Sequence, residues 1–244
     1  MRVNMKKFFI SLDRTPERTE RFLNANSHIE GFIKAPGIDG SLLDIDEMKA
    51  KRFVADNCWF TRGAIGSGLT HVALWGSIAK SGIAGHIFED DAFLCRNFEQ
   101  ESNRVLASLP EDWDIILWGN NSDTTLQFEL LPGITNCVAI FDQDSVRKGI
   151  STFRAMNVSS LPFRLDQTFG ICGYAISPKG AEAMIKRCLP MHTTDITYSS
   201  LGNRVITATS IDHLMNMHYR EMKAYMCFPP LCLTDNQSEN SLNK

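Results

Sequence analysis

The stretch Ala84-Gly-His-Ile-Phe-Glu-Asp-Asp-Ala-Phe-Leu94 constrains this chain more than any other. Apolar Ile87 and Phe88 run straight into Glu89, Asp90 and Asp91, and Ala92, Phe93 and Leu94 follow at once. Three adjacent like charges repel one another, and a buried carboxylate is costly unless paired or bound to metal. Apolar flanks on both sides argue against a freely solvated loop. Two readings remain open. One is a strand end whose carboxylates meet a divalent cation, which hard oxygen ligands suit. The other is an acidic turn between two strands.

A chain of 244 residues can build one large domain with a substantial core. Its 43% hydrophobic and 22% charged residues are those of an ordinary soluble globular protein. A net charge of -3 offers no electrostatic case for a nucleic-acid partner. Cys58, Cys95, Cys137, Cys172, Cys188, Cys227 and Cys232 are odd in number, scattered and without a CxxC pair. They read as reduced thiols, which points to a cytoplasmic setting. The apolar run at Phe8-Phe-Ile10 stops at Asp13-Arg14, too short for a secretory signal. No stretch approaches the ~20 apolar residues of a membrane helix, so a membrane-bound substrate would be met from the surface.

Lys7-Phe-Phe-Ile-Ser-Leu12 reads as a buried first strand. Thr15 then suits an N-cap and Pro16 the first helical position. A helix start after a strand favours anions. Arg14, Arg18 and Arg21 lie along it, either as a solvated face or as phosphate contacts. A second strand runs from Phe32 into the turn at Gly37-Ile-Asp-Gly40, and residues 41–60 read as a partly helical link. In 61–80 the glycines read as a tight turn into a buried helix, whose His71 is either a hydrogen-bonded core residue or a ligand contact. Gly63, Gly66 and Gly68 do not match a dinucleotide fingerprint. Further on, a helix over 98–109, a strand over 112–119, a strand over 168–177, a helix over 179–188, a short helix over 211–217 and a strand over 223–228 are expected. Residues 126–165 are hard to read, apart from a strand at Val138-Ala-Ile-Phe141. Strands alternating with helices predict an α/β sandwich with a mostly parallel central sheet. Ligands then gather beyond the carboxyl ends of the strands, where Asp13-Arg14, Glu89-Asp90-Asp91 and Asn120-Asn121 converge.

Seven blocks in order resemble glycosyltransferase family 25, which includes lipooligosaccharide and collagen galactosyltransferases. They are Phe9-Ile-Ser-Leu-Asp-Arg-Thr-Pro-Glu-Arg18, Ala35-Pro-Gly-Ile-Asp-Gly40, Gly66-Ser-Gly-Leu-Thr-His-Val-Ala-Leu-Trp75, Ile87-Phe-Glu-Asp-Asp91, Gly173-Tyr-Ala-Ile-Ser-Pro-Lys-Gly-Ala181, Ile211-Asp-His-Leu214, and Pro229-Pro-Leu231 with Gln237 and Ser241. The chain departs from the family at Ala64, Ser67 and Thr70, where Glu, Cys and Ser are usual.

The resemblance implies a single GT-A-like three-layer domain over residues 1–244. Residues 1–120 would take a UDP-sugar, UDP-galactose or a near relative, and 121–233 a glycan or glycolipid acceptor, with 234–244 a polar tail. Implied donor contacts are Leu12, Asp13, Arg14, Arg18, Asp39, Gly40, His71, Glu89 and Asp90. Glu89 and Asp91 would hold Mn²⁺ or Mg²⁺, with Asp90 behind them. An inverting transfer also needs a carboxylate base. The candidates are Asp212, Asp166 and Asp195; Asp212 lies in a matched block, and its alternative role is an N-cap. The expected product is lipooligosaccharide or another surface glycan, made in contact with the membrane surface. Two rival readings are a binding protein of this fold without turnover, and a metal-dependent phosphohydrolase or nucleotidyltransferase using the same acids.

Overall fold

A computed structural model describes residues 5–235. The resemblance at Gln237 and Ser241, and all but the first two residues of the expected tail, lie outside the described residues.

The elements in chain order are β1 (Lys6–Ser11), α1 (Pro16–Ala25), β2 (Phe32–Pro36), a 3₁₀ turn at Gly40–Leu42, α2 (Ile45–Ala50), α3 (Arg62–Ser81), β3 (Gly85–Glu89) and β4 (Ala92–Leu94). Next come α4 (Phe98–Ser108), β5 (Ile115–Gly119), β6 (Thr125–Leu131), β7 (Thr135–Ile140), α5 (Gln143–Ala155), β8 (Leu161–Gln167) and β9 (Gly173–Ile176). The chain continues through α6 (Pro178–Cys188), β10 (Asp195–Tyr198), β11 (Arg204–Thr207), α7 (Ile211–Asn216), β12 (Ala224–Phe228) and β13 (Cys232–Thr234).

Nine strands form one sheet in the order β2-β1-β3-β9-β5-β12-β8-β6-β7. The pairings set β1, β2, β3, β5, β6 and β12 in one direction and β7, β8 and β9 in the other. The α/β sandwich expected from the alternation is present, and its sheet is mixed because β9 inserts antiparallel between β3 and β5. Alternation along each strand builds two cores, since neighbouring side chains point to opposite faces. Ile87, Ile115, Leu117 and Tyr174 pack under α3, α6 and α7. Phe88, Ile116, Trp118 and Ala175 pack under α1, α4 and α5. Helix, sheet and helix make the three layers.

Two local readings are corrected. Glycines 63, 66 and 68 lie inside α3, which starts at Arg62 with the Thr61 side chain accepting from the Ala64 N–H. Two of them allow close packing: a Cβ on Gly66 would stand 2.4 Å from the Ile38 carbonyl oxygen and one on Gly68 2.6 Å from Met191 Sδ. The strand expected over 168–177 is only β9, because Gly170 adopts φ +83° and breaks it. The hard-to-read 126–165 segment supplies β6, β7, α5 and β8.

The C-terminal segment determines what stands beside the acidic turn. Leu231 N–H donates to the Trp118 carbonyl at 2.8 Å. β13 then pairs antiparallel with β4, setting Thr234 opposite Ala92. Gly119 permits this crossing, since a Cβ there would meet the Cys232 carbonyl oxygen at 1.9 Å.

Candidate active site

β3 is buried up to Phe88, and the acidic triplet emerges at its carboxyl end, between β1 and β9. The Glu89 N–H donates to the Cys172 carbonyl at 3.0 Å, which ties the turn to the segment entering β9. The three acids then meet three different surroundings.

Asp90 points toward α1. Its Oδ2 accepts from Ser11 Oγ at 2.8 Å, and its Oδ1 accepts from Arg18 Nε at 2.9 Å and from Arg18 Nη2. Both carboxylate oxygens are therefore engaged by the protein, and the side chain is 7% exposed. Arg18, read from sequence as a phosphate contact or a solvated face, sits in this ion pair, and Asp90 raises its pKa against the opposing effect of burial.

Asp91 has the opposite character. Its Oδ1 is buried without a hydrogen-bond partner among the described residues. Burial, then the charges of Glu89 and Asp90, push its carboxyl up from 3.8 to about 7, against Arg18 and a hydrogen bond from Thr234. Glu89 is half-buried and faces the other side of the sheet. Its Oε1 stands 3.7 Å from Nε2 of the fully buried His71. His71 Nδ1 is 2.8 Å from the Tyr174 hydroxyl, which also accepts from Trp75 Nε1 at 2.8 Å. This aromatic network fixes the imidazole so that its second nitrogen aims at Glu89.

Among the described residues no group of three or more His, Cys, Asp or Glu side chains is arranged to hold a metal alone. Asp91 keeps an orphaned buried oxygen, and Glu89, though turned to His71, is near enough for its charge to raise the Asp91 pKa, so the two carboxylates still suit a hard cation. Mg²⁺-type sites commonly use one or two carboxylates and complete the shell with water and substrate phosphate. The donor set therefore fits a cation shared with a diphosphate, and Asp90 is not available to it.

The other expected donor contacts surround β1 and β2. Arg14 Nε donates to Asp39 Oδ2 at 2.7 Å. Asp39 also accepts from the Ser41 hydroxyl and N–H, which hold its pKa below the usual range. Exposed Asp13 pairs with Lys34 at 2.7 Å. The Leu12 carbonyl accepts from Thr15 N–H at 3.2 Å, and the Thr15 hydroxyl also turns to Leu12, so Thr15 stands at the N-cap position without a side-chain cap. Gly40 is buried against the Arg62 carbonyl, where a Cβ would stand 1.8 Å away, so packing alone requires a glycine there.

The three candidate bases are not brought together. Asp212 is not the N-cap, a position held by Ser210. Its Oδ2 accepts from Gly170 N–H at 2.9 Å and its Oδ1 from the Ser210 hydroxyl. Gly170 is two residues from Cys172, so Asp212 lies within roughly 15 Å of the Glu89 backbone. Asp166 is on β8, four strands from β3 or about 19 Å across the sheet. It is bonded to Asn136, and burial raises its pKa. Asp195 is exposed on β10 and accepts from Thr207 at 3.0 Å.

Several contacts at the site depend on pairings that are distant in sequence. Thr234 reaches Asp91 only because β13 pairs with β4. Arg21 pairs with Asp235, whose carbonyl accepts from Arg147 Nε at 3.1 Å. Trp75 and Tyr174 lie in two of the resembling blocks, but no site role for either was legible in the sequence.

A family described as glycosyltransferase family 25 (LPS biosynthesis protein) matches residues 4–198. The human inactive glycosyltransferase 25 family member 3 is 28% identical over 144 residues, covering 52% of this chain and 24% of the human protein. The mouse protein of the same name is 27% identical over 143 residues, covering 52% and 24%. The chain thus spans about a quarter of the length of these relatives.

Proposed function

Because this chain belongs to glycosyltransferase family 25, we propose that it is a metal-dependent inverting hexosyltransferase. Its donor is a UDP-sugar, UDP-galactose in this reading, and its acceptor is a glycan or glycolipid such as lipooligosaccharide. No helix among the described residues is long and apolar enough to cross a membrane, so a lipid-linked acceptor would be met at the bilayer surface.

The observation that carries the reading is the division of labour in the acidic triplet. Asp90 is committed to Ser11 and Arg18, while Asp91 keeps an unpartnered oxygen beside Glu89. Glu89 and Asp91 would hold Mn²⁺ or Mg²⁺. When bound, the cation neutralises charge developing on the diphosphate as it leaves. His71 positions Glu89 from behind. Asp212 takes the proton of the acceptor hydroxyl as that oxygen bonds to the sugar carbon and the bond to the diphosphate breaks. A positioned base of this kind contributes about 10²–10⁴-fold.

A second reading keeps donor binding and drops turnover. The word inactive in the names of the human and mouse relatives favours it. One experiment separates the two: titrate UDP-galactose and UDP with Mn²⁺ by calorimetry, then measure UDP release with a glycan acceptor panel. The first reading predicts metal-dependent binding and acceptor-stimulated release. Binding without release supports the second, and absence of binding overturns both. Release of pyrophosphate would indicate nucleotidyl transfer instead.

A further inference from the structure

A cavity of about 410 Å³ opens between the loop after β5, the end of β7 and the β10–β11 hairpin. That size lies within the ~300–1,000 Å³ range of small-molecule sites. Its lining includes Ser122, Asp123, Phe169, Tyr198, Arg204 and Ile206.

Four observations describe what it would take. Phe169 is half-buried, with its ring 4.9 Å from Tyr198 and 4.4 Å from His213, so it is held as a rigid apolar platform. Tyr198 is locked in turn by donation to the Thr125 carbonyl at 2.8 Å. Asp123 and Arg204 are exposed, and no side-chain hydrogen bond or ion pair is seen for either among the described residues. Ser122 is 5% exposed, and its hydroxyl has no partner among the described residues. A buried hydroxyl without a partner is unfavourable, and a ligand hydroxyl can satisfy it.

We infer that this pocket binds a pyranose ring of the acceptor. The apolar C–H face of the sugar lies on Phe169, as amphipathic rings lie on aromatic surfaces. Asp123 accepts from one pair of hydroxyls and Arg204 donates to another, since both are planar two-atom groups. Ser122 answers a further hydroxyl after rotation about one bond. Phe169 is followed by Gly170, whose N–H holds Asp212, so a sugar seated here stands next to the carboxylate assigned as base. This inference rests on the glycosyltransferase reading for the word acceptor, but the site itself is tested without turnover.

The test is saturation-transfer NMR on the full chain with methyl β-galactoside, methyl β-glucoside and methyl β-N-acetylglucosaminide. UDP with Mg²⁺ in the same tube probes the donor site. At least one glycoside should bind the wild type. Ile206→Trp, which fills the cavity, and Arg204→Gln, an exposed change, should each weaken that binding at least tenfold, with the UDP signal and unfolding midpoint unchanged. No glycoside bound by the wild type, or equal binding in both variants, overturns the inference. A missing UDP signal beside intact glycoside binding counts against the donor reading and supports the pocket.

Discussion

Asp90 and Asp91 are chemically identical neighbours with opposite fates, and the difference is partner supply. Asp90 meets Ser11 and Arg18, while Asp91 Oδ1 meets neither hydrogen-bond donor nor cation among the described residues. A consequence follows for the metal-free protein. The Asp91 carboxyl is raised from 3.8 to about 7. Between roughly pH 4 and 7 the folded state thus keeps a proton that the unfolded chain has lost, so this group's contribution to stability falls as pH rises through that window. Asp91→Asn should flatten the slope and be the more stable protein above pH 7, by on the order of 1–3 kcal/mol. Urea midpoints at pH 5 and pH 8 with EDTA check it; the same pH slope in both proteins contradicts it. The sequence showed the triplet and its apolar flanks. It could not show which acid Arg18 would take, because that depends on α1 lying across the sheet from β3.

At the scale of elements, the site is held by close backbone approaches. α3 packs on the end of β2 through Gly66, whose absent Cβ leaves room 2.4 Å from the Ile38 oxygen and 2.7 Å from the Gly40 nitrogen. Neither backbone atom can rotate away. Gly66→Ala should cost about 1–3 kcal/mol, as overpacking typically does, and should move Asp39 with the turn it caps. A chemical denaturation midpoint equal to that of the wild type would contradict this packing account. Helices with clear caps or stripes were legible: α6, with Ser177 accepting from Gly180 N–H and Pro178 behind it, falls where its sequence puts it. In the β6–β8 region only β7 was legible, overlapping the strand expected at Val138–Phe141; β6 was not, because Gln127 is buried while Leu130 and Leu131 are exposed, so its polarity does not follow its burial. β13 has only three residues and exists by pairing with β4. Its contact with Asp91 was beyond reach of local reading for the same reason.

At the scale of the whole molecule, strand–helix alternation gave the three layers, while the insertion of β9 between β3 and β5 required a long-range pairing that no local pattern encodes. That insertion brings Gly170 and Asp212 toward the strand end where the triplet emerges. The same topology leaves Asp166 four strands away and Asp195 on a separate hairpin. The cavity lined by Phe169 and Arg204, built from loops after β5 and β7 with the β10–β11 hairpin, had no motif at all. In the proposed function the triplet divides into a metal ligand, Asp91, and a structural anchor, Asp90. The direct measurement is UDP release from UDP-galactose with Mn²⁺ in Asp91→Asn and Asp90→Asn, each corrected for its folded fraction. Asp91→Asn should stay folded and lose at least about 100-fold in turnover, whereas Asp90→Asn should lose stability and keep turnover per folded molecule within about tenfold. Wild-type turnover in Asp91→Asn, or the greater loss per folded molecule in Asp90→Asn, would contradict the account.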